Sequence, residues 1–461
     1  MRFQRLVSII MLWLLVAAPV LQGTALAQQQ KEEEKAVENQ QLEPAEEQPI
    51  AEEAQATPDN EAELQQAKQL QKEELQELES PELIKPQVLS AGLSDGTGNP
   101  GDLTADATTF LQSFNGKHEV SLFSGVLNYY YPLWVPQGRL EMTPDITLTY
   151  SSIDDHYASP VGFGWSLPIN AVYRTPKKGV DETYNEDRFA VDIFGATEDL
   201  IIVDDVNGVY APKAEGSFNE FTYDGTDWIG FDAMGNTYTF GTSASTRQDD
   251  PNDSTRVFKW MLEKVEDPNG NFMTFTYTKD NGAIYPNTIR YTGYDANDGI
   301  FEVKFNLEGR DNFVSYRTGF RVSYEKLIDS IDLITYSSGS AQTFLTYDFN
   351  YTKQNNAIWL LNEIEVSDGT NTLPSTTFEY FSGSDSEPNK KINGLKTINE
   401  PLGGTQKFTY KPSTAYRELD STSSNWLPFV VHTVYQHTSQ AGSGEPEYTT
   451  TYDYRDGHYY V

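Results

Sequence analysis

No cysteine occurs anywhere in the chain. That absence excludes a disulfide framework, a lipid-bearing cysteine behind an export signal, and any thiolate metal site, so stability has to come from buried surface. Basic residues are scarce too: 33 Lys and Arg stand against 68 Asp and Glu, for a formal charge of −35. Nucleic-acid phosphates need clustered Lys and Arg to displace their counterions, so nucleic acid is excluded as a partner. No apolar run reaches the roughly 18 residues of a membrane-spanning helix. The five histidines, His118, His156, His432, His437 and His458, keep no metal-ligand spacing. His432 and His437 differ by an odd number of residues, which puts them on opposite faces of a strand. There is no G-x-S-x-G nucleophile segment.

The first 27 residues carry Arg2 and Arg5, an apolar run from Leu6 to Leu21, and Ala25-Leu26-Ala27. This is the pattern of a secretory signal cleaved after Ala27, and it predicts a secreted, extracellular protein. Residues 28–86 hold 17 Asp and Glu, 5 Lys and no aromatic residue. Such a segment has too little apolar surface to offset the cost of ordering, and it reads as a disordered acidic Gln/Glu-rich linker. Within it, Leu64, Ala67, Leu70, Leu75 and Leu78 keep roughly helical spacing before the Ser80-Pro81 stop, enough for one marginal helix but not for a coiled coil. Residues 87–114 form a junction.

From there the composition turns to aromatics, Thr, Gly and Asn. Alternating segments recur: Ile146-Thr-Leu-Thr-Tyr150, Thr237-Tyr-Thr-Phe240, Phe272-Met-Thr-Phe-Thr-Tyr277, Thr376-Thr-Phe-Glu-Tyr380, Gln406-Lys-Phe-Thr-Tyr410 and Tyr448-Thr-Thr-Thr-Tyr-Asp-Tyr454. Period two with β-branched and aromatic enrichment predicts half-buried strands. Between them lie Asp232-Ala-Met-Gly-Asn236, Asp267-Pro-Asn-Gly-Asn271, Asp298-Gly299 and Ser367-Asp-Gly-Thr370, where Gly and Asn supply the positive φ of tight hairpins. The fold class is therefore all-β, with many short antiparallel strands. Trp228 to Phe240 and Met261 to Tyr277 read as two copies of one strand, Asp-x-x-Gly-Asn turn, strand unit. The unit resembles the YD repeat of Rhs proteins, in which stacked hairpins build a large sheet.

A longer resemblance runs through residues 115–385. Gly125-Val-Leu-Asn-Tyr-Tyr-Tyr-Pro-Leu-Trp-Val-Pro-Gln-Gly138, Pro144-Asp-Ile-Thr-Leu-Thr-Tyr-Ser-Ser152, Val161-Gly-Phe-Gly-Trp-Ser-Leu167, Val303-Lys-Phe305, Tyr316-Arg-Thr-Gly-Phe320, Leu327 to Leu333, and Leu373-Pro-Ser-Thr-Thr-Phe-Glu-Tyr380 follow one another. In that order they resemble the SpvB region that opens the B components of Tc toxins. Residues 386–461, with Gly403-Gly-Thr-Gln-Lys-Phe-Thr-Tyr-Lys-Pro-Ser413, Leu427-Pro-Phe429 and Tyr448 to Tyr460, resemble the start of the middle segment of those toxins. No block of propeller repeats separates the two segments. Ending inside the second segment, the sequence is expected to be a piece of a longer protein.

The resemblance implies a large curved β-sheet shell that encloses or delivers a downstream C-terminal effector. The implied partners are that effector domain, another toxin-complex component, and a host surface receptor. It implies no catalytic residue, cofactor or metal in this portion. Gly162, Gly164 and Trp165, together with Asp267, Gly270 and Asn271, stand as structural signature residues. An adhesion or glycan-binding protein, which would use exposed aromatics, is the alternative; a carbohydrate-active enzyme would need paired acids in one cleft.

Other chemistry-bearing patterns read as coincidental. Gly96-Thr-Gly-Asn-Pro-Gly101 lacks the strand and helix that a dinucleotide site needs, and Gly162-Phe-Gly164 has Leu167 where a third Gly would stand. Arg417, Ser421-Thr-Ser423 and Glu445-Pro-Glu447 mimic the order of an ADP-ribosyltransferase, but the serines lie in a polar run and not in a buried strand. Asp295-Ala-Asn-Asp-Gly299 has Asn306 where a calcium loop needs Glu. Asp249, Asp250 and Asp253 read as a solvated acidic loop. One prediction concerns the linker: deleting residues 28–86 should leave the melting temperature of the remainder unchanged, and a clear drop would mean that the segment is docked.

Overall fold

Threonine and aromatic residues alternate in the strands because a pleated chain sends successive side chains to opposite faces. In the computed structural model this alternation is visible as burial: Leu148 and Tyr150 face inward between outward-facing threonines, as do Tyr238 and Phe240. The structure describes residues 116–455 apart from 178, 194, 215–218, 338, 355–357, 388–389 and 417–428. The signal sequence, the acidic linker and most of the junction lie outside the described residues.

The first four strands, β1 (Lys117–Val120), β2 (Leu127–Pro132), β3 (Thr147–Ser151) and β4 (Trp165–Ser166), form a small antiparallel sheet in chain order. A second sheet takes the rest. It begins with β5 (Ala171–Arg174), β6 (Phe189–Ile193), β7 (Ala196–Asp204), β8 (Val209–Pro212), β9 (Glu220–Tyr223), β10 (Trp228–Phe231) and β11 (Thr237–Phe240). Next come β12 (Arg247–Asp250), β13 (Asp253–Glu266), β14 (Asn271–Asp280), β15 (Ala283–Tyr294), β16 (Phe301–Ser315), β17 (Val322–Thr335) and β18 (Gln342–Lys353). The last six are β19 (Trp359–Ser367), β20 (Thr376–Tyr380), β21 (Leu395–Asn399), β22 (Thr405–Pro412), β23 (His432–Gln440) and β24 (Glu447–Thr451). This second sheet closes on itself. The fold is all-β, and the only helical elements among the described residues are short 3-10 turns.

Closure turns on β13. One of its edges pairs with β12 and then β11; the other pairs with β5 and then β14. Because β5 to β11 run on as successive antiparallel neighbours, the two contacts of β13 join the ends of that run. From β14 onward each strand pairs with the next as far as β24, and the pairing crosses residue 385 through β19, β20 and β21 without a break. The closed run of β5 to β11 with β13 has no unpaired edge to recruit other chains, whereas the arm from β14 ends in β24.

The two Asp-x-x-Gly-Asn turns share one geometry. In each, the Asp Oδ1 accepts hydrogen bonds from the backbone N–H groups two and four residues on, and Oδ2 accepts from the Asn side chain. Gly235 and Gly270 hold φ of +82° and +84°. The turns are neighbours, since β11 pairs with β13 and the Pro268 ring lies 3.1 Å from where a Cβ on Gly235 would sit.

Three sequence expectations need correction. Gly299 does not supply a positive φ; Asp295 does, at +53°. Gly299 is needed because a Cβ there would fall 1.8 Å from the Tyr291 carbonyl oxygen. The alternation at Tyr448 to Tyr454 gives only β24, whose residues are all exposed, because among the described residues β23 is its single strand neighbour. Asp250 is buried on β12 and pairs with Arg256 at 2.8 Å, and Asp249 is half-buried beside Lys279, whereas Asp253 is exposed as the acidic-loop reading expects.

A Cβ on Gly270 would have no atom within 4 Å, so it is the backbone angle that resists a side chain there. Gly270→Val should therefore destabilise by about 1 kcal/mol or more, while Gly270→Asn costs less. Denaturant midpoints at unchanged slope would measure this; equal midpoints for Val and wild type would refute it.

Candidate functional site

The segment from Val161 to Trp165 sits where the small sheet meets the large one. Gly162 and Gly164 have φ of +94° and +78°. A Cβ on Gly162 would lie 3.0 Å from the Trp359 carbonyl oxygen, and one on Gly164 would lie 2.7 Å from the Tyr150 ring. The bare backbone lets Phe163 N–H donate to Trp359 O at 2.8 Å, and lets Gly164 O accept from Ser151 N–H at 2.9 Å. These two glycines fit by conformation and by close approach at once.

They deliver Trp165 into the interior, where it is 0% exposed. Its ring lies 4.8 Å from Phe378, 5.5 Å from Tyr150 and 6.0 Å from Tyr129, mostly edge to face. The indole N–H donates to Tyr380 Oη at 2.8 Å, and that hydroxyl donates to Leu361 O at 2.6 Å. Nearby, Leu395 N–H donates to Tyr150 Oη at 2.9 Å and Tyr410 Oη donates to Leu395 O at 2.9 Å. Tyr347 and Tyr291 reach across to the carbonyls of Trp134 and Pro136. Burial pushes the hydroxyls of Tyr150, Tyr380 and Tyr410 well above the ordinary tyrosine value, and that of Tyr131 up to about 12. They stay neutral, and they act as bolts between sheets and not as acids or bases.

The sequence reading missed these tyrosines. A signal was present, because Tyr150, Tyr380 and Tyr410 each close an alternating threonine-rich strand. The other signature residues, Asp267, Gly270 and Asn271, form the hairpin turn between β13 and β14.

Little in the described residues suits catalysis. A cleft lined by Ile146, Leu167, Met273, Phe275, Tyr277 and Pro286 has one carboxylate, Asp145, and so no acid pair. No group of three or more His, Asp or Glu could hold a metal ion among the described residues. Glu445 and Glu447 are exposed, whereas Arg417, Ser421, Ser423 and His458 lie outside the described residues. His156 neighbours Asp154 and Arg317. His118 and His437 come together, which their spacing did not foretell.

Residues 122–299 match the family described as Salmonella virulence plasmid 65kDa B protein, and residues 365–461 match the insecticide toxin TcdB middle/N-terminal region. Curated relatives include the mono(ADP-ribosyl)transferase SpvB of Salmonella choleraesuis strain SC-B67 and that of Salmonella typhimurium. Each is 25% identical over 235 residues, which is 45% of this chain and 36% of the relative. The chain thus spans about a third of the length of these relatives. Among solved structures, TcdB2-TccC3 aligns over 73% of this chain and 22% of its own, at 16% identity and a TM-score of 0.51. The N-terminal domain of effector protein SpvB from Salmonella typhimurium strain LT2 aligns over 51% of this chain and 98% of its own, at 19% identity and a TM-score of 0.44. The likeness to TcdB2-TccC3 is one of fold.

Replacing Trp165 by Ala should cost about 3–5 kcal/mol through lost burial and the cavity left behind. Urea unfolding of the two proteins is the measurement. An Ala variant within about 1 kcal/mol of wild type would show that the glycine segment holds nothing together.

Proposed function

We propose, from the premise that the chain belongs to the SpvB/Tc-toxin B family, that it is the opening portion of a secreted shell that encloses or delivers a downstream effector. The observation that carries this reading is strand pairing that runs unbroken from β13 to β24, through both family regions. A wall of this kind works by continuous strand pairing and by filling its seam with apolar side chains, and it needs no catalytic group. We divide the chain into an SpvB-like region at 115–385 and the start of a middle segment at 386–461, with the signal and linker ahead of them, and we assign the YD-like hairpins to the first region. The mono(ADP-ribosyl)transferase activity named for the Salmonella relatives is assigned here to other parts of those proteins. The partners in this reading are the effector domain or a toxin-complex component, with a host surface receptor as a further one.

One observation favours adhesion as the second reading: the β1–β2 turn presents Leu122 and Phe123 at 78% and 98% exposure. The two readings separate on the native secreted protein, captured from culture medium with an antibody to the folded region. The shell reading expects a C-terminal or companion polypeptide that resists protease until denaturant opens the wall. Protease digestion of that polypeptide at the same rate with and without denaturant would sink it, as would glycan binding that is lost on Phe123→Ser with no enclosed polypeptide.

A further inference from the structure

Among the described residues β1 is an edge strand with β2 as its one strand partner. Lys117 and Glu119 point to solvent, while His118 and Val120 face the large sheet. The His118 ring lies 4.1 Å from the ring of His437 on β23 and 5.7 Å from Phe408 on β22. His437 stacks on Phe408 at 5.1 Å and is 7% exposed. Its Nε2 is 2.6 Å from Gln406 Oε1, and Gln406 Nε2 donates to Glu400 Oε1 at 3.2 Å. With the amide oriented in this way, His437 donates from Nε2, a role that both the neutral ring and the cation can fill. The cation adds no bond there; it adds a charge beside a second imidazole.

The surrounding groups offer that charge little compensation. On β1, Lys117 and Glu119 turn away. On β2, Tyr129 lies opposite His118 and is neutral, since burial raises its hydroxyl. On β22, Lys407 pairs with Glu447 of β24, and β24 sets the neutral Thr450 opposite His437. Glu400 meets the site through the Gln406 amide. We propose that the His118–His437 contact is an acid-sensitive latch that holds β1 against β22 and β23 at neutral pH and lets it go on acidification. Release would leave β1 held only by its ladder with β2.

Burial lowers both histidines from the ordinary value of 6.5, His437 to about 4 with a further contribution from His118. The closed latch therefore binds fewer protons than the open one. Its advantage is complete above about pH 6.5 and is lost as pH falls toward 4, by up to about tenfold per pH unit for each histidine. The inference does not depend on the shell reading.

Hydrogen exchange of the full chain at pH 7.5 and 5.0, corrected for the intrinsic rates, tests it at the amides of residues 117–120. Opening should rise about tenfold or more at the lower pH in wild type, and less than about threefold in the double variant His118→Phe/His437→Phe, which keeps the aromatic stack. Proton NMR titration of the wild-type rings guards against a variant that fails to fold: both midpoints should fall below 6.5. Equal protection at the two pH values, the same pH dependence in the double variant, or midpoints at or above 6.5 would each overturn the proposal.

Discussion

The contact of Trp165 with Phe378, closed by the hydrogen bond from its indole to Tyr380, ties the four-stranded sheet to the large one. Without cysteine no covalent link can do this, so the seam has to be specified by shape and by hydrogen bonds. A purely apolar seam would leave register and angle loosely set, because the hydrophobic effect has no direction. Buried hydroxyls remove that freedom, since each costs free energy unless it finds its own partner. Tyr347 and Tyr291 reach the carbonyls of Trp134 and Pro136, and Tyr150 meets the amide of Leu395. The positive φ angles of Gly162 and Gly164 follow from the same demand, because the chain must pass close to Trp359 and Tyr150 to bring the indole in.

Closure of the large sheet is a second consequence of local sequence. β13 is long enough to offer separate stretches to separate partners, with Lys259 to Met261 facing β5 and Lys264 to Glu266 facing β14. On the other edge β12 covers the first stretch and β11 the second. The strand thus serves two runs of sheet at once. Trp260, at the crossing, is fully buried and packs edge to face against Phe189 and Trp228 from opposite parts of the ring.

Local features were the readable ones. Alternation located strands such as Thr237–Phe240 and Thr376–Tyr380, and Asp267 and Gly270 announced their turn, because such signals lie within a few residues of each other. What depends on distant pairing was not legible. Asp249 and Asp250 look like a polar loop until β12 sets them beside Lys279 and Arg256. The bond from Leu395 to Tyr150 joins residues 245 positions apart, and the meeting of His118 with His437 spans more. Each is fixed by which strands neighbour which, a property that period and propensity do not carry.

The acidic balance also shapes how the structure answers to pH. Many basic groups are already engaged: Arg174 pairs with Asp187 and lies 4.8 Å over Phe189, and Arg256 pairs with Asp250 and lies 4.5 Å over Tyr184. Carboxylates left over include those bound by their own turns. Hydrogen bonds from Asn207, from the Asp227 backbone and from the Asn371 backbone hold Asp204, Asp224 and Asp368 below the ordinary value of 3.8, so their contribution persists until pH falls below about that point. Asp192 and Asp348 run the other way, because burial raises both. A raised carboxyl takes up its proton more readily in the folded chain, which favours the fold as pH falls. Asp192 lies on β6 and Asp348 on β18, both in the large sheet. A fall in pH thus relieves these sites in the wall while it works against the histidine pair at the seam, so the two sheets need not respond to it together.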